Sequence, residues 1–403
     1  MELSMPQHIS RIWLAPGLRF VLTWFMVVRI LTVGVALMLR GDYQLDKNMT
    51  MLRAMPIEAE QVITAPPEIA HLYDPWYRWD TTWYINIAAN SYADNLNSII
   101  FPPFYPLMIR LLATLTFGDY LFASLLISNI CAILVLYLFY KIVAQEFDDT
   151  AAQQVIPLYI TFPTAFFLIA GYSESLFIVL LLSSWLLTMR RRYGWASLAI
   201  FLATLTRTQG WMVGIPLFYM AYVEQGNWRE DWKHLRLILP KLILGVSSLA
   251  GLLTYLIGMQ ISGLGNVNAT FENSFWEVGF GMPWENILRL ITLDFDLNLA
   301  KGPEVLLNIV CLLFIVFMGA IATWRLRPPY WLFIWLTLLT ILMRDHPVFL
   351  HGLARYVITL FPLFIVYNQH MGNRHFARLI FIGIGLTLQL FLVAIFVLWG
   401  FVG

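Results

Sequence analysis

The chain has 403 residues, 60% of them hydrophobic and only 12% charged, with a formal net charge of +1 and a mean hydropathy of +0.71. Soluble globular chains carry about 25% charged residues, and several apolar runs here reach the roughly 20 residues that cross a hydrocarbon core of about 30 Å. The sequence is therefore that of a polytopic all-α membrane protein, and its charge gives no reason to invoke nucleic acid.

The first 17 residues lack a small-residue cleavage site, so the first apolar run, about Leu18 to Leu39, reads as a retained signal anchor preceded by Arg11 and Arg19. Arg29 lies near the middle of that run. An intramembrane arginine must face protein or a wet cavity; it can pair with a carboxylate or helix carbonyls, or hold an anionic head group. Residues 40–119 contain no clean span. Asp42, Asp46, Glu58, Glu60, Glu68 and the Pro66-Pro67 pair mark them as one extracytoplasmic loop, and so long a connection usually carries function.

Within that loop the stretch Pro75-Trp76-Tyr77-Arg78-Trp79-Asp80-Thr81-Thr82-Trp83-Tyr84 is an aromatic and charged island. Asp80 is positioned to cap a following helix. Trp79, Trp83 and Ile87 recur every four residues, a spacing that suits a helix lying on a membrane surface. Ser91 to Asn95 reads as a turn, and Phe101-Pro102-Pro103-Phe104-Tyr105-Pro106 leads into Leu107–Phe117, which is short and carries Arg110. That segment reads as an interfacial helix rather than a span.

Apolar runs follow at about 120–140, 151–171, 174–189, 195–206, 211–223, 236–257, 304–323, 330–343, 352–368 and 377–399, giving about eleven transmembrane helices with the first. All 403 residues form a single integral membrane domain. Placing the N-terminus in the cytoplasm puts Lys141, Arg190-Arg191-Arg192, Arg229/Lys233/Arg236, Arg325/Arg327 and Arg374/Arg378 inside, as the basic-residue rule requires. Residues 40–119 and 258–303 then lie outside, and so does the C-terminus. Cys131 and Cys311 read as small buried hydrophobes. No repeat, phosphate-cradling glycine loop or metal-ligand spacing is present, and the sequons at Asn48 and Asn268 read as chance matches. No cofactor is assigned; use of a divalent metal is left open, with no site for it.

Polar residues gather at the outer rim: Arg78 and Asp80, then Gly171-Tyr172-Ser173-Glu174-Ser175, then Arg207 in Thr206-Arg207-Thr208-Gln209-Gly210, and finally Arg344-Asp345-His346-Pro347 with Arg355-Tyr356. Each has a structural reading. Glu174 can cap its helix, Arg207 and Arg355 can snorkel to head groups, and Arg344 to His346 read as an ordinary wet loop. Their shared face favours chemistry. Arginines match phosphate oxygens, a carboxylate can take the proton of an attacking hydroxyl, and aromatic faces can stack on sugar rings.

At these residues the chain resembles the PIG-V-type mannosyltransferases of the GT-C glycosyltransferase superfamily. The resemblance rests on Arg78-Trp79-Asp80 with Trp83-Tyr84, the Phe101 to Pro106 motif with Arg110, Phe162-Pro163-Thr164-Ala165-Phe166-Phe167, Gly171 to Phe177, and Arg207-Thr208-Gln209-Gly210. Arg78 stands where the family often has histidine. The resemblance covers residues 18–215 well and the remainder by hydropathy. It implies a GT-C-like bundle, Asp80 and Glu174 as catalytic residues, and a polyprenyl-phosphate-linked sugar donor used on the outer or luminal face. Arg78, Arg207, Arg355, Trp79, Trp83, Tyr84, Tyr105, Tyr172 and Arg29 are the candidates for donor phosphate or substrate contact. The expected activity is an inverting hexosyl transfer, of mannose by the resemblance, to a lipid or glycan acceptor. The membrane is a bacterial or archaeal cell membrane, or the ER membrane in a eukaryote. The alternatives are a lipid-linked saccharide transporter and a non-catalytic membrane assembly subunit.

Overall fold

A computed structural model describes residues 17–40, 62–93, 95–273, 278–295 and 302–402. Arg11, Asp42, Asp46, the Asn48 sequon, Glu58, Glu60 and Asp94 lie outside the described residues. The described chain is helical apart from one two-residue antiparallel pair, β1 (Gly279–Phe280) with β2 (Arg344–Asp345).

Five helices are long and apolar enough to cross a membrane: α1 (Leu18–Met38), α4 (Tyr120–Glu146), α8 (Leu235–Ile261), α10 (Gly302–Arg325) and α13 (His375–Val397). The expected count was about eleven. The difference lies in the apolar runs that the chain breaks. Run 151–171 becomes α5 (Asp149–Ile160), with Pro157 inside it, followed by a 3-10 turn at Pro163–Leu168. Run 211–223 becomes a 3-10 turn, a six-residue helix and a π turn. Run 352–368 is split by Pro362 into Leu353–Tyr356 and α12 (Pro362–Met371). Helices α6 (Glu174–Met189), α7 (Tyr193–Thr204) and α11 (Pro328–Leu342) have 16, 12 and 15 residues. At about 1.5 Å per residue none reaches about 30 Å. Apolarity marks burial in lipid and burial in protein alike: protein surrounds α6, whereas α7, the segment after it and α11 also expose Trp195, Leu198, Ile215 and Leu339.

The long helices carry the outward apolar surface, with Ile30 and Met38, Val246 and Ile257, Val310 and Phe317, and Ile384 and Phe391 exposed. Inside, an aromatic core joins α4, α5, α6 and α11 to residues 361–364. Trp185 packs on Tyr330 and Phe361, and Phe139 on Tyr159 and Phe361. Tyr159 donates its hydroxyl to the Ile358 carbonyl at 2.7 Å.

Helix α2 (Asp80–Asn90) was expected to lie on the membrane surface through Trp79, Trp83 and Ile87. It is instead enclosed, with every residue from Thr81 to Ala88 buried. Its neighbours account for this. Helix α3 (Phe104–Ala113) packs beside it, and Arg110 donates to the carbonyls of Ala88 and Ala89 at 2.5 and 3.2 Å, satisfying the last turn of α2. Helix α4 starts at an Asp119 cap. One carboxylate oxygen takes the Phe122 N–H at 2.7 Å, while the other takes the Tyr73 hydroxyl at 2.5 Å and the N–H groups of Thr64 and Ala65. Asp119 thus ties residues 64, 65 and 73 of the first loop to the start of α4.

Polar contacts sort to the two ends. At one end Arg327 pairs with Glu146 and Glu224, Arg325 reaches the Gln369 carbonyl, and Arg378 reaches Gln154. These are the segments assigned to the inside from basic-residue distribution. Glu146 closes α4, whose other end lies among Tyr105, Ser128 and Tyr172. Those 27 residues set the two ends about 40 Å apart.

Candidate active site

Three turns and one helix start build a charged cluster at the second end. Asp80 is the first residue of α2, and the residue before it, Trp79, sits at φ 49° and ψ −125°. A bulky residue there is strained. The expected cap does not form: no side chain caps α2, and Asp80 directs its Oδ2 to Arg355 Nη1 at 2.5 Å. The Asp80 N–H donates to the Tyr172 hydroxyl at 3.3 Å.

Gly171, at φ 76°, turns the chain into Tyr172-Ser173-Glu174. A side chain there would also crowd Ser124 and Thr81. Glu174 opens α6, again without capping it by its side chain. Its fully buried carboxylate lies 2.5 Å from Arg207 Nη1 and 3.8 Å from Arg355 Nη1. The contact is ionic, and neither carboxylate oxygen has a hydrogen-bond donor among the described residues. Arg207 enters from the turn after α7, which Gly210 lets approach closely, since a Cβ there would sit 2.9 Å from the Thr204 backbone. Arg207 also donates to Gln209 Oε1 at 2.9 Å and Ser173 Oγ at 3.2 Å.

Gln209 extends the chain of contacts. Its Nε2 donates to the Tyr356 hydroxyl at 2.6 Å, and Arg344 Nη1 donates to the same oxygen at 2.7 Å. The network therefore runs Asp80, Arg355, Glu174, Arg207, Gln209, Tyr356, Arg344. Among the described residues Arg344 has no carboxylate within ion-pair distance. Two carboxylates face three guanidinium groups, an excess of one positive charge. Burial alone would lower the pKa of Arg355, but the carboxylates of Asp80 and Glu174 raise it above the ordinary value. Burial would raise the Tyr356 phenol, and Arg344, Arg207 and Arg355 together bring it below the ordinary value. That oxygen accepts from two donors, Gln209 and Arg344.

The structure brings together Asp80, Glu174, Arg207 and Arg355, with Tyr172 and Tyr84 directly beneath. Tyr84 shares a 2.7 Å hydrogen bond with Ser173. Trp79 flanks Asp80, its ring 5.9 Å from Trp399 and 5.2 Å from Phe401. Tyr105 lies one layer deeper, fully buried and bonded to Ser128 at 2.9 Å. Trp83 stacks on Phe101 away from the cluster. Arg78 also points elsewhere, donating to the Val397 carbonyl at 2.9 Å and covering Trp399. Arg29 lies over the Trp76 ring at 5.1 Å, in α1, with no contact to the cluster.

Arg344, Gln209 and Tyr356 were not among the expected site residues. Arg344 read as part of a wet loop, and the signal that could have lifted it is its place twelve residues before Tyr356, across a turn. The packing of Trp399 and Phe401 on Trp79 left no trace in the sequence pattern. Among the described residues no group of three or more His, Cys, Asp or Glu side chains could hold a metal ion.

A family model described as Mannosyltransferase (PIG-V) matches residues 18–235, more than half of the chain. No curated protein and no solved structure matches. Asp80, Glu174, Arg207 and Gln209 fall inside the matched region, whereas Arg344, Arg355 and Tyr356 fall beyond it.

Proposed function

The chain belongs to the PIG-V mannosyltransferase family, and from that premise we propose that it is a GT-C-like membrane glycosyltransferase moving mannose from a polyprenyl-phosphate donor to a lipid or glycan acceptor on the outer or luminal face. The observation that carries this reading is the contact of Asp80 with Arg355 inside a cluster that holds one more cation than anions. An excess cation beside a partly accessible carboxylate suits a reaction that binds a phosphate and removes a proton.

In the proposed reaction an acceptor hydroxyl oxygen attacks C1 of the mannose, and the bond from C1 to the phosphate oxygen breaks. The electron pair leaves with the polyprenyl phosphate, and the acceptor proton passes to Asp80. One displacement inverts the sugar carbon. Arg355 holds Asp80 in place. Arg207, Arg344 and Arg355, with the Tyr356 hydroxyl, stabilise the charge that develops on the departing phosphate. Glu174, fully buried, acts through the two arginines it touches rather than on the sugar. Trp79 offers the ring face beside the carboxylate.

The test is transfer of radiolabelled sugar by purified protein from a panel of polyprenyl-phosphate donors to membrane lipid acceptors. Mannose transfer that depends on Asp80 is expected. A folded protein that moves the intact donor across vesicles, with no sugar released or transferred, would replace the enzyme by a carrier.

A further inference from the structure

Seven non-glycine residues among those described have positive φ, and three of them, Trp79, Leu350 and Trp399, converge on one wall beside Asp80. Such backbone persists only where its surroundings over-determine it. Trp399 shows how. Helix α13 ends in a Schellman turn, in which the Trp399 N–H donates to the Phe396 carbonyl at 3.1 Å and the Gly400 N–H to that of Ile395 at 2.7 Å. Glycine is the usual residue at the left-handed position of that turn. Here Trp399 takes it, at φ 65°, and is buried.

Arg78 holds this turn. Its Nε donates to the Val397 carbonyl at 2.9 Å, one of the last carbonyls of α13, which the helix itself leaves open. Its Nη1 donates to the Tyr77 carbonyl at 2.9 Å, and the guanidinium covers the Trp399 ring at 4.5 Å. No carboxylate side chain lies within ion-pair distance of it among the described residues. Arg78 therefore serves geometry more than charge: its fork ties the residue before Trp79 to the end of α13.

The contact continues to the reactive carboxylate. Trp399 meets Trp79 edge-on at 5.9 Å, and Phe401 meets it at 5.2 Å. Phe401 is backed by His351 at 4.9 Å, which Glu304 fixes at 2.7 Å. Helix α9 (Pro283–Thr292) holds the chain just before His351, because Arg289 donates to the carbonyls of His346 and Pro347 at 2.9 and 3.2 Å. Trp79 is thus braced by Trp399 and Phe401, while its own backbone, at φ 49° and ψ −125°, sets the direction in which Asp80 and α2 leave. Its carbonyl is fixed in turn by the N–H and hydroxyl of Thr82, at 3.0 and 2.8 Å. One contact between two tryptophans stabilises both strained turns.

We propose that Arg78 is a positioning residue for the transfer reaction: acting through Trp399 and Trp79, it holds the Asp80 carboxylate where the acceptor hydroxyl must meet it. The assignment rests on the glycosyltransferase reading above and differs from direct contact of Arg78 with the donor phosphate. The test is steady-state mannose transfer by the purified full chain, from polyprenyl-phosphate mannose to membrane lipid acceptors, with each variant normalised to monodisperse protein. Arg78→Gln should lower kcat by at least about tenfold, since small displacements of a reacting group are costly. The donor KM should stay unchanged, because Arg207, Arg344 and Arg355 are untouched. Trp399→Gly suits the left-handed backbone and removes the ring, so it should give the same signature. Arg78→Lys keeps one donor for the Val397 carbonyl and should recover part of kcat.

The decisive comparison is made in the Asp80→Asn background. A residue that acts through Asp80 has nothing left to position there, so Arg78→Gln should take nothing further from the residual turnover. An equal loss in both backgrounds reports a general loosening of the fold and overturns the assignment. A raised donor KM at unchanged kcat also overturns it, by making Arg78 a phosphate ligand. A wild-type protein that transfers no sugar removes the transferase reading and this assignment together. An active wild type indifferent to Arg78→Gln removes the assignment alone.

Discussion

Asp80 and Arg355 are 15% and 13% exposed at their side chains, enclosed enough that removing one partner leaves the other poorly solvated. Breaking such a pair costs on the order of 3 kcal/mol, while neutralising both halves costs far less. Asp80→Asn should therefore lower both thermal stability and turnover, the latter by at least about 100-fold if it accepts the proton. Asp80→Asn/Arg355→Gln should recover most of the stability and none of the turnover. Recovery of both, measured as melting temperature beside mannose transfer, would reduce Asp80 to a structural anchor. Tyr356 gives a separate handle. The three guanidinium groups around it lower its pKa below the usual value of about 10. A phenolate cannot donate to a phosphate and repels it. Donor KM should thus rise with pH earlier than an ordinary tyrosine would make it, and Tyr356→Phe should have a higher KM at neutral pH with no such rise. His346 titrates on the acid side, where burial, His351 and the nearby Arg344 and Arg289 push its pKa down to about 3. A histidine with a lowered folded-state pKa contributes stability that is present above its unfolded value of about 6.5 and is lost as pH falls toward 3. His346→Gln should flatten the acid limb of the stability curve over that window. An acid limb identical in variant and wild type would assign it to other groups.

At the scale of single elements, α2 shows what periodicity can and cannot say. The four-residue spacing of Trp79, Trp83 and Ile87 marked a helix correctly and its partner wrongly. A helix that faces lipid head groups and one wedged between protein segments both need large apolar side chains, and α2 is buried on nearly all sides by α3, α4 and the Tyr172 turn. The cap reading failed for a related reason. Asp80 and Glu174 both open helices, where a carboxylate is favoured by the helix dipole alone, and an arginine distant in sequence claimed each side chain. Basic-residue distribution grouped Arg325, Arg327 and Arg378, and these gather with Glu146 and Glu224 at one end of the bundle. The orientation that follows puts the turn at Arg190 in the cytoplasm and the described part of the first loop outside. Arg190→Cys and Glu68→Cys, both at exposed positions, test it against an impermeant maleimide in intact cells. Labelling is expected only at residue 68, the native Cys131 and Cys311 being buried. Labelling at 190 alone would invert the orientation.

For the whole molecule, Asp80, Glu174, Arg207 and Arg355 were legible in the sequence as site candidates, whereas Gln209, Arg344 and Tyr356 were not. Short motifs record residues that lie close in sequence, such as Tyr172-Ser173-Glu174 or Arg207-Thr208-Gln209. Arg344, Tyr356, Trp399 and Phe401 reach the site only through the packing of α10 to α13, which no local pattern encodes. The contact of Asp80 with Arg355 spans 275 residues, and that separation has a consequence in time. A ribosome adding about 5–20 residues per second needs on the order of tens of seconds to deliver Arg355 after Asp80, but only seconds to deliver Arg207 after Glu174. The nascent protein therefore acquires one ion pair early and holds Asp80 without its counter-ion through most of its own synthesis. Loss of Arg207 should be registered by quality control while the ribosome is still attached. Loss of Arg355 should surface only at the end, as a nearly complete polypeptide that is made at the normal rate and then degraded.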